Sequence, residues 1–329
     1  MKSDRLNRRQ WLGASMAGMA AAALPVVAAE GRWPTQPLRL LVGFPGGSSP
    51  DLMARLLAEP LSRALGQPVV VDNRVGAGGN LAATLVARAT DGHTLGLMIN
   101  GNLTTARLLQ PATAYDPATD LAPVALLGSA PLLLCADAQA PAPFKSFTQR
   151  AREAGARWNF GSPGIGTLGH LGMELLQQRA GLAAVHVPYP GNPQVVAALL
   201  AGEVQMALLP PGLALPLWRA GRLQVLLATS AGRSALAPEV PGLAESGIDL
   251  ASLEIWNAVA APRRQPAAQV QRLAAELTRL VREPAVREGI ARQGWNLVGA
   301  GPEGLARRMA ADTALMAPLI RRLQPQALR

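Results

Sequence analysis

Residues 38–61, LRLLVGFPGGSSPDLMARLLAEPL, place an apolar segment, a loop of small residues and an amphipathic segment in succession. The apolar segment has buried character on both faces, which indicates a strand inside a sheet covered by helices. The leucines that follow the loop recur at helical spacing until Gly66: Leu52, Leu56, Leu57 and Leu61. This stretch therefore predicts a strand, a loop and a helix.

The same order returns along the chain. We predict further strands at 69–71, 94–99, 158–160, 185–189, 204–209, 223–229 and 255–260. Helical stretches separate most of these strands, and a stripe of Val270, Leu273, Leu277, Leu280 and Val281 marks a C-terminal helix. Alternating strands and helices predict an α/β fold with parallel strands and crossover helices. The pattern restarts after the turn-rich segment 115–123, so we expect two domains, with a single domain as the alternative.

Composition excludes several classes of protein. Hydrophobic residues make up 49% and charged residues 16% of the 329 residues, which is typical of a chain that folds. The net charge of +10 falls to +7 without residues 1–29, and the scattered arginines are not interleaved with aromatic residues, so we expect no nucleic-acid binding. Because Cys135 is the only cysteine and lies in an apolar run, it excludes an internal disulfide and predicts a buried, structural thiol.

The N-terminal segment is typical of an export signal. Residues 5–12 contain Arg8 and Arg9, and a weakly apolar stretch rich in Gly and Ala follows to Val27. This resembles a twin-arginine signal, with cleavage expected near Ala29 and a periplasmic mature protein. A retained membrane anchor is the alternative.

Three loops are candidates for binding a small anion: residues 44–51, 73–80 and 161–170. Each is predicted to join the carboxyl end of a strand to the N-terminus of a helix, where free backbone N–H groups favour a carboxylate or phosphate. Ordinary turn chemistry is the alternative for any one of them, but three across two α/β units favour an anion site.

Enzyme, cofactor and metal motifs are missing from the sequence. Residues 164–169 spell a dinucleotide fingerprint, but no acidic residue follows about 20 positions later to bind a ribose. A P-loop, a nucleophile elbow and a metal-ligand cluster are absent as well. We interpret His93 and His186 as structural, and leave His170 open between support of the loop and ligand contact. The prediction is a protein with no catalytic residue, no cofactor and no metal.

Several motifs together resemble the Bug-type substrate-binding proteins of tripartite tricarboxylate transporters. They are FPGGSSPD at 44–51, GQPVVVDNR at 66–74, GAGGN at 76–80, YDP at 115–117, GSPGIGT at 161–167, HL at 170–171 and HVPY at 186–189, with AGRL at 220–223, RS at 233–234 and PAVR at 284–287 further on. The resemblance runs from about residue 33 to the C-terminus. It implies a two-domain periplasmic binding protein of type II-like architecture, with a hinge and a ligand cleft between the domains.

Domain boundaries and site residues follow from this resemblance. It implies a first domain of residues 30–128 plus 250–329 and a second of residues 129–249, with the C-terminal helices returning to the first. The implied ligand-binding residues are Phe44, Gly46, Gly47, Ser48, Ser49, Asp51, Asn73, Gly78 and Asn100 in the first domain, and Ser162, Gly166, Thr167, His170, Tyr189 and Gly191 in the second.

The chain departs from the family pattern at three places. Pro50 stands where the family commonly has Thr, Ala198 where it often has Asp, and Leu209-Pro210 where it often has Asp-Asn. Ser48 and Ser49 are candidates to replace the lost hydroxyl, and the lost acidic groups favour a plain carboxylate over an amino acid as ligand. The resemblance implies a monomer that captures a small carboxylate and delivers it to membrane transporter subunits. A role in a sensor system and an α/β enzyme are the alternatives.

Overall fold

A computed structural model describes residues 33–327. Residues 33–35 belong to one compact unit, and residues 36–327 lie in a second, which holds all the elements given below. The predicted export signal, residues 1–29, lies outside the described residues. None of the described helices combines the length and apolar character needed to cross a bilayer.

The described strands, in chain order, are β1 (Leu38–Val42), β2 (Val69–Asn73), β3 (Thr94–Ile99), β4 (Leu121–Pro131), β5 (Leu133–Asp137), β6 (Asn159–Ser162), β7 (Val185–Pro188), β8 (Met206–Leu209), β9 (Leu223–Ala228), β10 (Glu254–Pro262) and β11 (Asn296–Ala300). They form two sheets. The first sheet has the order β11-β4-β10-β3-β1-β2, and the second has the order β7-β6-β8-β5-β9.

The described α-helices are α1 (Ser49–Leu65), α2 (Asn80–Arg88), α3 (Asn100–Leu103), α4 (Ala106–Leu109), α5 (Pro117–Asp120), α6 (Phe144–Ala154), α7 (Leu168–Ala180), α8 (Asn192–Leu200), α9 (Pro211–Arg219), α10 (Ala267–Leu280), α11 (Pro284–Arg292) and α12 (Pro302–Ala327). Single turns of 3₁₀ helix occupy Ala77–Gly79 and Gly155–Arg157. The predicted alternation of strands and helices is confirmed.

The predicted parallel pairing is confirmed for part of each sheet, and both sheets also contain antiparallel strands. β1 pairs in parallel with β2 and β3, and β6 pairs in parallel with β7 and β8, whereas β10 is antiparallel to β3 and β4. β5 is likewise antiparallel to β8 and β9, and β11 to β4. β5 follows β4 of the first sheet directly, and β10 arrives from the second sheet. β5 and β10 are the strands through which the chain enters one sheet from the other. Each runs in the opposite direction to neighbouring strands that are joined by crossover helices.

The chain passes between the sheets twice. It leaves the first sheet after Pro131 and enters the second at Leu133, and it leaves the second sheet after Ala228 and rejoins the first at Glu254. We call the elements around each sheet the first-sheet half and the second-sheet half. The predicted domain boundaries at 128/129 and 249/250 stay a prediction.

Separate apolar clusters cover the sheets. Trp256 and Tyr115 are buried in the first-sheet half, and Phe147 and Phe160 in the second. Met316 and Ile320 of α12 join the second cluster, although α12 also packs on β4 of the first sheet. Cys135 lies fully buried in β5, and burial raises the pKa of its thiol, which confirms the structural interpretation.

Candidate functional site

The three predicted loops occupy the carboxyl ends of strands. The first loop leads from β1 into α1, the second from β2 through a 3₁₀ turn into α2, and the third from β6 into α7. Each helix begins immediately after its loop, so the free N–H groups of its first turn face the edge of the sheet. The predicted strand–loop–helix junctions are confirmed.

The N-terminus of α1 presents two hydroxyl groups that the fold does not use. Ser48 is the N-cap residue in an extended conformation, and its side chain makes no capping hydrogen bond. The hydroxyl oxygens of Ser48 and Ser49 are buried and have no hydrogen-bond partner among the described residues. Pro50 follows in the first turn, where its missing N–H costs the helix nothing. Ser48 and Ser49 can therefore donate to a bound group.

Asp51 holds the first loop in shape. Its carboxylate accepts hydrogen bonds from the Gly47 N–H at 2.9 Å, from Arg55 Nε at 3.0 Å and from Asn73 Nδ2 at 2.9 Å. Asn73 Nδ2 also donates to the Phe44 carbonyl oxygen at 2.8 Å. Burial acts to raise the pKa of Asp51, but the hydrogen bonds from Arg55, Asn73 and Gly47 outweigh it and hold this pKa below its ordinary value. Asp51 and Asn73 brace the loop from behind.

The third loop begins α7 with a capped turn. Thr167 is the N-cap, and its Oγ1 donates to the Gly164 carbonyl oxygen at 2.7 Å and accepts from the His170 N–H at 3.4 Å. Leu168 and Gly169 follow as the first helical residues, and their N–H groups have no partner within an α-helix. This leaves a second cluster of backbone donors opposite the first.

One cavity lies between the two halves, and the N-terminal residues of α1 and α7 line it. Its lining residues are Phe44, Ser48, Ser49, Pro50, Ile99, Leu132, Pro163, Thr167, Leu168, Gly169, Asn192, Leu208, Pro210, Ile255, Asn257 and Trp295. The lining combines apolar side chains with a few hydroxyl and amide groups, which is the composition of small-molecule sites. None of these described lining residues carries a charged side chain.

Four helices begin at this cavity. Ser48 caps α1, Thr167 caps α7, Asn192 is the first residue of α8, and Pro210 caps α9. Each helix N-terminus carries a partial positive charge and unpaired N–H groups. The electrostatic potential of the cavity therefore favours an anion without a basic side chain.

His170 and His186 lie behind the third loop. Their rings stack at 4.1 Å between centroids, and the His186 ring stacks on Phe160 at 4.8 Å. Ser162 Oγ lies 2.7 Å from His186 Nε2, and the Gly166 N–H donates to His170 Nδ1 at 3.3 Å. Burial lowers the pKa of His170 to about 3, helped by the charge of His186, and lowers the pKa of His186 to about 4. Both rings are neutral at pH 7, and their hydrogen bonds to Ser162 and Gly166 tie them to the third loop. Contact of His170 with a ligand stays a prediction.

The structure brings four of the predicted site residues into the cavity: Phe44, Ser48, Ser49 and Thr167. The others lie around it. Gly46 and Gly47 belong to the first loop, and Gly191 packs against the Pro45 ring from the other half. Gly78 and Tyr189 line an adjacent surface groove, and Asn100 and Gly166 line a neighbouring pocket beside Arg308 and Asp312. The role of each predicted residue in binding stays a prediction.

Sequence reasoning missed several lining residues, among them Asn192, Asn257 and Trp295. Asn257 is an amide in the middle of a strand, and the next four residues are apolar. A polar residue in such an apolar strand is a local signal that could have identified it. Trp295 follows α11, and no local signal marks it. Ala198 and Leu209, two of the departures, are buried in the apolar core, while Pro210 lines the cavity.

Among the residues whose side chains the structure describes, no three His, Cys, Asp or Glu are grouped so that they can hold a metal ion.

Comparison with known proteins identifies the family. Residues 53–324 match the family described as the tripartite tricarboxylate transporter family receptor. The chain is 36% identical over 293 residues to the UPF0065 protein in the tcbD-tcbE intergenic region of Pseudomonas sp. (strain P51), covering 88% of this chain and 86% of the relative.

Two solved structures share the fold over most of their length. MatC of Rhodopseudomonas palustris with bound malate superposes with a TM-score of 0.84 at 29% identity, covering 88% of this chain and 100% of MatC. The periplasmic binding protein BugD superposes with a TM-score of 0.84 at 28% identity, covering 88% of this chain and 98% of BugD. The predicted two-domain binding-protein fold is confirmed by these similarities, and the chain belongs to the tripartite tricarboxylate transporter receptor family.

Proposed function

We propose that this protein is a periplasmic solute-binding receptor that holds a small carboxylate in the cavity between its two halves. The observation that carries the proposal is the meeting of four helix N-termini at one cavity whose described lining has no charged side chain. A carboxylate there accepts hydrogen bonds from the backbone N–H groups of α1 and α7 and from the hydroxyl groups of Ser48 and Ser49.

The apolar walls support a ligand that also contains carbon. Phe44, Ile255 and Trp295 surround the polar groups of the cavity. Burial of a short carbon chain against these side chains adds to affinity at roughly 25 cal/mol per Å² of apolar surface removed from water. An inorganic anion gains nothing from such walls, so an organic acid fits the cavity better.

Delivery to a membrane transporter is the second part of the proposal. Membership of the receptor family supports membrane subunits as partners, and the likeness to BugD, a periplasmic binding protein, supports the same compartment. In this proposal residues 1–29 direct export, the monomer acts without catalysis, and the two halves close over the ligand by a hinge motion.

A thermal-shift panel tests the proposal. The purified protein is heated with mono-, di- and tricarboxylates and with alcohols and amines of matched carbon skeleton. A carboxylate at about 100 times its dissociation constant is expected to stabilise the protein by roughly 2.7 kcal/mol, while its matched alcohol and amine leave the melting temperature unchanged. If no acid stabilises the protein, or if amines stabilise it as well as acids, the proposal is wrong.

Deletion of the gene tests delivery. Cells without the receptor are expected to lose uptake of the radiolabelled acid found in the panel, and a copy of the gene restores it. Normal uptake in the deletion strain contradicts the transport role.

A further inference from the structure

Asn257 is a buried amide that the fold leaves unused. It lies in β10 with no exposed surface, and both its Oδ1 and its Nδ2 lack a hydrogen-bond partner within the described part of the chain. Nine in ten or more of the buried polar groups in proteins are paired, because an unpaired one loses its bonds to water without replacement. Because both amide atoms are unpaired, interchanging oxygen and nitrogen does not change this observation.

Asn257 lies in the sheet and lines the cavity. Asn257 pairs with Ile99 of β3 on one side and Gly128 of β4 on the other, so its main chain is part of the sheet. The register with β4 shifts between Asn257 and Ala258, which is a β-bulge or a similar irregularity. Such irregularities change the direction of side chains and are frequent next to binding sites. Asn257 lines the same cavity as Ser48 and Thr167.

An unpaired amide limits which group can satisfy it. Its Nδ2 needs an acceptor and its Oδ1 needs a donor. A hydroxyl or a carboxamide supplies both, whereas an ionised carboxylate only accepts and an ammonium only donates. Asn192 adds a further unpaired oxygen, Oδ1, to the same cavity.

The same amide disfavours a charged group at this end of the ligand. An ionised carboxylate there leaves Oδ1 without a donor, and an ammonium leaves Nδ2 without an acceptor, so each keeps one buried polar atom unpaired.

We infer that the cavity selects short monocarboxylates whose other end carries a hydroxyl or a carboxamide, and that Asn257 is the residue that determines this selectivity. The inference rests on the proposed function, since it assumes that the carboxylate occupies the helix N-termini. Asn257 then forms hydrogen bonds with the neutral end of the ligand.

Calorimetric titration with a matched series tests the inference. The ligands are butyrate, 4-hydroxybutyrate, succinamate, succinate and 4-aminobutyrate, which share a four-carbon chain and differ at one end. We expect 4-hydroxybutyrate or succinamate to bind at least about tenfold more tightly than butyrate, succinate and 4-aminobutyrate, because a site with buried hydrogen-bonding groups rejects analogues that leave them unpaired. Whichever of the two binds more tightly identifies the hydroxyl or the carboxamide as the preferred group.

Substitution assigns the selectivity to one residue. Asn257→Leu keeps the size of the side chain and removes both polar atoms, so the preference over butyrate is expected to fall to about twofold or less while butyrate binds at least as well as before. Asn296→Leu, at an exposed position in β11, is the matched control and is expected to keep the wild-type preference. Circular dichroism confirms that both variants fold.

The outcomes separate this inference from the proposed function. If succinate or butyrate binds the wild-type protein as tightly as 4-hydroxybutyrate and succinamate, the inference is wrong and the carboxylate receptor stands. If Asn257→Leu still prefers 4-hydroxybutyrate or succinamate over butyrate as strongly as the wild type does, Asn257 does not determine the selectivity. If no carboxylate of any length binds, the proposed function itself fails. The wild-type series decides the ligand class even if Asn257→Leu does not fold.

Discussion

Asp51 illustrates how one residue shapes the site without lining the cavity. Asp51→Asn removes the charge that Arg55 and the Gly47 N–H recognise, so we expect the free energy of unfolding at pH 7 to fall by about 1–3 kcal/mol. The folded pKa of Asp51 lies below its ordinary value of 3.8. The stabilisation is therefore present above pH 3.8 and is lost as the pH falls through the folded pKa.

Urea unfolding at a series of pH values measures this effect. The difference in stability between the wild type and Asp51→Asn is expected to narrow as the pH is lowered from 7 to 3. Asp249→Asn, at an exposed position, serves as the control and is expected to change stability by less than about 0.5 kcal/mol. A difference that stays constant with pH contradicts the role given to the carboxylate.

At the scale of the element, the hydroxyl groups in the first turn of α1 are expected to contribute to ligand binding but not to the stability of the fold. The Ser48 side chain makes no capping bond, and both serine hydroxyls are unpaired among the described residues. Ser48→Ala combined with Ser49→Ala is therefore expected to leave the free energy of unfolding within about 0.5 kcal/mol of the wild type. Affinity for the carboxylate is expected to fall about tenfold or more, because two hydrogen-bond donors to an anion are lost.

The same two measurements on Ser146→Ala provide the control. Ser146 is exposed in α6, away from the cavity, and its substitution is expected to change neither quantity. An unchanged affinity in the Ser48 and Ser49 double variant removes these hydroxyls from the binding site.

Local sequence patterns predicted the elements that begin the site but not the cavity as a whole. The loops at 44–51 and 161–170 were identifiable because a strand, small residues and a helix follow one another within about 25 residues. The mixed direction of the strands depends on how β4 and β10 cross between the sheets, which local periodicity does not encode. Asn257 and Trp295 reach the cavity from more than 150 residues beyond Phe44, so only the fold brings them together.

At the scale of the whole molecule, glycines allow the two halves to meet. A Cβ atom on Gly212 of α9 would lie 2.1 Å from the carbonyl oxygen of Gln293, which follows α11 in the other half. Backbone atoms cannot move aside as a flexible side chain can, so Gly212→Ala is expected to disfavour this arrangement. We expect its affinity for the carboxylate to fall about tenfold or more, equal to ~1.4 kcal/mol.

Small-angle X-ray scattering with and without ligand checks this expectation. The wild type is expected to become more compact on binding, and Gly212→Ala is expected to show a smaller change at the same ligand concentration. Gly301→Ala is the control, since a Cβ at Gly301 meets no other described atom within 4 Å. Equal affinity and equal compaction in Gly212→Ala contradict closure of the two halves at this contact.

Recognition of an anion by helix N-termini, without a basic side chain, is the central claim. Its most direct test is calorimetric titration of the purified protein at pH 7 with the tightest-binding acid and with the methyl ester of that acid, which keeps the shape and removes the charge. We expect the ester to bind at least about 100-fold more weakly, equal to ~2.7 kcal/mol. An ester that binds as tightly as the acid would contradict the claim.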